Sequence, residues 1–164
     1  KRKIMSKTEQ QTSDQDKAAK TKMPSKVIKQ HVTMAIGGGL IPVPYADMAA
    51  VTAVQLKMLH ALAKMYDVPF KKTLAKTVTA SLFGSIIPRY LGHSSIGSLL
   101  KAIPVVGTYS GSIVMSTFSG ASTYALGRVF SEHFASGGNF LDIDPHKVSD
   151  FFKKAYEEGK NLAN

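Results

Sequence analysis

A chain of 164 residues has room for one domain with a substantial core. Its lack of cysteine removes disulfide frameworks, thiolate nucleophiles and thiolate zinc sites. The formal charge of +10 is nearly all lysine, Arg2, Arg89 and Arg128 being the arginines; no Arg-, Asn- and Gln-studded helix or aromatic stacking set goes with it, which argues against nucleic acid and leaves an anionic membrane surface or a merely solvated basic face.

Charge is unevenly placed along the chain. Residues 1–30 carry +6, 31–69 carry 0, 70–101 carry +5, 102–139 carry 0 and 140–164 carry −1. Residues 1–23 are too polar to bury enough surface to offset chain entropy, and read as a basic disordered tail. They lack the apolar region of a signal peptide, so the cytoplasmic side is the default expectation. A helical-hairpin domain over 24–139 and a C-terminal helix over 140–164 are expected to follow.

The first helix is expected from about Pro24, where a first-turn proline lacks an N–H that would be unsatisfied anyway, to the Gly37-Gly38-Gly39 cluster or Ile41. Pro42 and Pro44 forbid its continuation. Asp47 stands just before an amphipathic run, in position to cap a second helix. In that helix Met48, Val51, Gln55, Met58, Leu59, Leu62 and Tyr66 share one side, and Lys57, His60 and Lys64 the other. Gln55 is the polar member of the apolar stripe and reads as an interhelical hydrogen-bonding group. Asp67-Val68-Pro69 breaks the chain, after which Leu74, Val78, Leu82, Ser85 and Ile86 indicate a third helix ending near Pro88. Lys71, Lys72 and Lys76 fall in its first turns, where the helix dipole disfavours cations. Anionic headgroups, an acidic partner or plain solvation are the alternatives for what they meet.

A connection leads to a long fourth helix, expected from Thr108 to about Phe134 and ended by Gly137-Gly138. The stretch Ala102 to Gly127 is uncharged and longer than the roughly 20 residues that cross a bilayer core, yet poor in Leu and Phe. Small residues recur in it at four-residue steps: Gly107 and Gly111; Ser112, Ser116 and Gly120; Ser119, Thr123 and Gly127. Such steps let helix backbones approach closely, with hydroxyls bonding across the contact, in a bilayer or in a bundle. A polar pore lining is the competing reading. Asp144-Pro145 is a cap followed by a first-turn proline, and Val148, Phe151, Phe152 and Ala155 make one face of a closing amphipathic helix.

The runs HVTMAIGGGLIPVP (31–44) and TVTASLFGSIIP (77–88) superpose Val32 on Val78, Gly38 on Gly84, Ile41 on Ile87 and Pro42 on Pro88. A third Ile-Pro, Ile103-Pro104, precedes the fourth helix. The unit reads as a helical hairpin used twice, each rising arm stopped by proline. The fold expected is all-α: two helical hairpins forming a four-helix bundle-like domain plus a C-terminal amphipathic helix, with membrane insertion open. Arms turning at Pro42 and Pro44 have about ten to twelve apolar residues, too few to span, so lipid contact there would be an interfacial or re-entrant wedge. Against it stands the cost of Asp47 in hydrocarbon.

The five histidines lie on separate segments, with no i, i+4 pair suited to a metal. Neither a G-x-S-x-G elbow nor a G-x-x-x-x-G-K-[ST] phosphate loop occurs. No catalytic, cofactor-binding or metal residue is assigned.

Taken together, IPVPYADMAAVTAVQLKMLHALAKMYDVP and LLKAIPVVGTYSG followed by TYALGRVF resemble the YcjF-like, GTPase-associated domain of unknown function, distantly EcsC-like, over about residues 27–135. The resemblance implies a helical, membrane-associated bacterial domain, often fused to or encoded near an Era-like GTPase, and carries over no catalytic residue. The family's second helix usually ends in Tyr-Gly, so Asp67 is a departure that puts the turn there in question.

These observations point to a membrane-associated, non-enzymatic adaptor or self-assembling scaffold at the cytoplasmic face of a bacterial inner membrane. Anionic membrane lipids, an Era-like GTPase and further copies of itself are the expected partners, without nucleic acid or cofactor. Candidate contacts with membrane or partner are Lys71, Lys72, Lys76, Pro42 and Pro44; helix packing is assigned to Gln55, Gly107, Gly111, Ser116, Gly120, Thr123 and Gly127. Alternatives are a soluble, cytoplasmic protein-binding module and a pore-forming or apolar-ligand-binding protein.

Overall fold

The computed structural model describes residues 22–40, 46–91 and 108–163. Among them are five helices and no strand. Helix α1 covers 22–38, α2 Ala46–Met65, α3 Lys72–Leu91, α4 Thr108–Ala135 and α5 Pro145–Ala163. The fold is all-α. The tail ahead of Lys22, Pro42, Pro44, Ile103-Pro104 and Gly107 lie outside the described residues.

Local chemistry explains the helix ends. At the start of α5, Asp144 Oδ1 accepts from the His146 N–H (2.9 Å), and the Asp144 carbonyl takes the N–H groups of Lys147 and Val148. Helix α2 closes with Val68 N–H on the Ala63 carbonyl (2.8 Å) across Asp67, whose φ is 55°. Helix α4 closes the same way, with Gly138 N–H on the His133 carbonyl (2.9 Å) across Gly137 at φ 87°. The turn at Asp67 therefore keeps the left-handed backbone that glycine favours, even though glycine is not there.

Helix α4 is the centre of the core, burying Ala121, Ala125, Leu126, Val129, Phe130 and Phe134. Helix α2 adds Met58, Leu59, Leu62 and Ala63, and α1 adds Ile28 and Val32 to the same cluster. Each large side chain of this kind stabilises by about 1.5–3 kcal/mol when fully buried. Three helices meet at Gly127, where a Cβ would come within 2.7 Å of Ile28 Cγ1 and 3.0 Å of Met58 Sδ. Helix α5 packs on α4 more extensively than α2 does, and Gly159 admits the α4 backbone: a Cβ there would lie 2.9 Å from Ala121 Cα. Helix α3 joins through buried Ala75 and Leu82 and through Phe83, which meets Phe152 of α5 edge-on at 5.6 Å.

The small-residue stretch of α4 thus packs against protein, with Ser116, Ser119, Gly120, Ala121, Ser122 and Thr123 all buried. Among the described residues no helix is long and apolar enough to cross a membrane.

One expectation is corrected. Helix α3 does not stop at Ile87-Pro88 but continues to Leu91. Pro88 withdraws the N–H that would reach the Gly84 carbonyl, and Gly84 is exposed with no described neighbour within 4 Å of its Cβ position, so water can reach that carbonyl. In the other repeat α1 ends at residue 38, and Ile41 and Pro42 lie outside the described residues.

Candidate functional site

A groove of about 550 Å³ runs between α2 and α3. Helix α3 packs more on α5 than on α2. Helix α2 lines it with one stripe at three- and four-residue spacing, comprising Ala49, Thr52, Ala53, Leu56, Lys57 and His60. Helix α3 adds Lys72 and Lys76, one turn apart, and the connecting segment adds Phe70. Ala49, Ala53 and Leu56 give the groove an apolar floor, and Lys57, Lys72 and Lys76 are its cationic lining.

Lys57, Lys72 and Lys76 are exposed, and none forms an ion pair with a described residue. No carboxylate is among the described lining residues, whose charges favour anions. The Phe70 ring stacks on His60 (centroids 4.7 Å apart, 25° between planes) and meets buried Phe140 at 5.8 Å and 72°. His60 is thereby held at the wall by a ring rooted in the core. Chemically, the groove can take an anionic group through charge-assisted hydrogen bonds and an apolar group on its floor. Among the described residues no three His, Asp or Glu side chains stand together as metal ligands.

Of the residues singled out by sequence, Lys72 and Lys76 line the groove, whereas Lys71 is exposed just ahead of α3. The packing residues lie in the core instead. Gln55 is buried and its Nε2 donates to Thr123 Oγ1 at 3.2 Å. Ser116 donates to the Ile36 carbonyl of α1 at 3.1 Å, satisfying an acceptor in a last helical turn. Gly120 and Gly127 are buried along α4. Gly111 belongs to α4 and Asp47 is the second residue of α2, but their surroundings lie outside the described residues, as do Pro42, Pro44 and Gly107 altogether.

Sequence reasoning did not reach Lys57, His60 or Phe70 as partners of the α3 lysines, nor Gly159 as a packing residue. A signal existed for the first two: they stand three apart on the polar side of α2, opposite the apolar stripe. What joins them to Lys72 and Lys76 is the helix crossing, which no spacing encodes.

Comparison with known proteins places the chain. The family model for a domain of unknown function, DUF697, matches residues 2–161. Magnetosome membrane protein 22 of Magnetospirillum gryphiswaldense is 37% identical over 137 residues, which cover 84% of this chain and 70% of that protein. No solved structure matches the chain. An all-α fold, the helix-turn strings that look YcjF-like and a family match across nearly the whole length agree, and the chain belongs to the DUF697 family, a domain of unknown function.

Proposed function

We propose that the protein is a membrane-associated, non-enzymatic component that lays its lysine-rich side on an anionic bilayer, at the cytoplasmic face of a bacterial inner membrane. There it serves as an adaptor or self-assembling scaffold with a GTPase as partner. The observation that carries the membrane part is a division of charge. Residues 22–84 hold eight lysines and two carboxylates, Asp47 and Asp67, whereas residues 115–162 hold four lysines and one arginine against six carboxylates. Each lysine near an anionic surface contributes about 1 kcal/mol, so several together suffice for stable attachment. The name of the magnetosome membrane protein, a relative at 37% identity, supports the same setting. The GTPase partner rests on the YcjF-like resemblance.

Flotation with phosphatidylglycerol-containing vesicles, beside pure phosphatidylcholine vesicles, tests the reading. The protein is expected to float with the anionic vesicles only, and to be released as salt rises, because the lysine attraction is screened over about 8 to 10 Å. Equal flotation with neutral vesicles, or none with either, overturns it.

A further inference from the structure

We infer that the α2–α3 groove is a binding site for the phosphate headgroup of a single anionic lipid, so that the protein selects a lipid as well as lying on a charged surface. This deepens the membrane reading and rests on it. Lys57 comes from α2 and Lys72 and Lys76 from α3, yet all three line one groove, and none has an ion-pair partner among the described residues. A flat charged surface needs no such convergence. A phosphate does, because its several acceptor oxygens are satisfied by donors arriving from more than one side.

The floor decides between lipid and free phosphate. Ala53 and Leu56 line the same groove as the three lysines, an apolar surface that suits the glycerol and first methylenes of an acyl chain. An inorganic anion would leave that surface wet. The wall is also built before any ligand arrives, since His60 stacks on Phe70 and Phe70 meets buried Phe140 edge-on. A preformed, partly apolar concavity with a few convergent polar groups is the usual form of a small-ligand site. Helix α1 supplies an internal contrast: Lys22, Lys26 and Lys29 line a depression with Ser25 and Gln30, and all five residues come from one helix.

The test is a calorimetric titration of the full chain with phosphatidic acid carrying two eight-carbon chains, below its micelle concentration. Inorganic phosphate, the matching phosphatidylcholine and a glutamate-rich amphipathic peptide are run beside it. We expect one phosphatidic acid per chain, with the affinity weakened about ten-fold or more by the triple change Lys57→Ala, Lys72→Ala, Lys76→Ala. The triple change Lys22→Ala, Lys26→Ala, Lys29→Ala removes the same charge and is expected to cost less than about two-fold. Ala53→Glu, at an exposed position, is expected to abolish binding while the circular dichroism spectrum stays unchanged. Equal losses from the two triples, inorganic phosphate binding as tightly as the lipid, or the acidic peptide binding more tightly than either each overturn the inference. Because the titrated lipid is monomeric, vesicle flotation that fails beside a groove titration that succeeds refutes the charge-driven membrane reading alone. Flotation that succeeds beside a titration showing no lipid binding refutes the groove alone.

Discussion

Asp67 holds a φ of 55°, a conformation that costs an L-residue roughly 1–2 kcal/mol and asparagine or aspartate somewhat less. Asp67→Gly is therefore expected to raise stability by about 0.5–1 kcal/mol, after the extra chain entropy that glycine gives the unfolded state. A urea midpoint that falls instead would show that the aspartate makes a contribution of its own. Gln55 presents the opposite situation, a buried amide whose Nε2 donor is met by Thr123. Thr123→Val leaves that donor unpaired and should cost about 1–3 kcal/mol, while the double change Gln55→Leu, Thr123→Val should cost less than the two single changes added together. Strict additivity in denaturant unfolding would refute the coupling. Gln55 is conspicuous in the sequence because it interrupts an apolar stripe. Its partner is not, because 68 residues separate the two and only the α2–α4 contact brings them within reach.

Helices were legible where their signals are local. The caps and prolines foretell α4 and the start of α5 closely, since a cap acts within one turn of its own residue. Pro88 misleads because the cost of an interior proline depends on what surrounds the orphaned carbonyl, and at exposed Gly84 water can meet it. Glycines separate the local from the tertiary contribution in the same way. Gly84 lies in α3 with no described residue within 4 Å of its Cβ position, so Gly84→Ala should stabilise by about 0.5–1 kcal/mol. Gly159 is also helical, but its Cβ would press on the α4 backbone at 2.9 Å, so Gly159→Ala should destabilise by about 1–3 kcal/mol despite its better helix propensity. Thermal unfolding of the two variants should move in opposite directions, and a shared direction would refute the close α4–α5 approach. Removing the cap with Asp144→Ala should cost about 1 kcal/mol by the same measurement.

At the scale of the molecule, α4 and α5 are joined by a turn knitted around Asp142, which accepts from the Asn139 N–H at 2.8 Å and contacts His133 Nε2 at 2.7 Å. The Asn139 backbone bond first, and the His133 contact second, hold the Asp142 carboxyl below its ordinary value. A carboxyl depressed in the folded state contributes stability above its unfolded pKa of about 3.9 and loses it as pH falls through the lower folded value. Asp142→Asn should therefore lower the urea midpoint at neutral pH, with the gap to the parent chain closing below about pH 4. A gap that stays constant down to acid pH would assign the loss to shape instead of charge. By itself the sequence determined the all-α class, most helix ends and the run of lysines, because caps, prolines, periodicity and charge are written in neighbouring residues. Only the tertiary structure decided that α5 shares the core of α4 through Gly159, and that Lys57 lines one groove with Lys72 and Lys76. Those facts follow from how closely helix backbones approach and at what crossing, which is settled by packing between segments far apart in the chain.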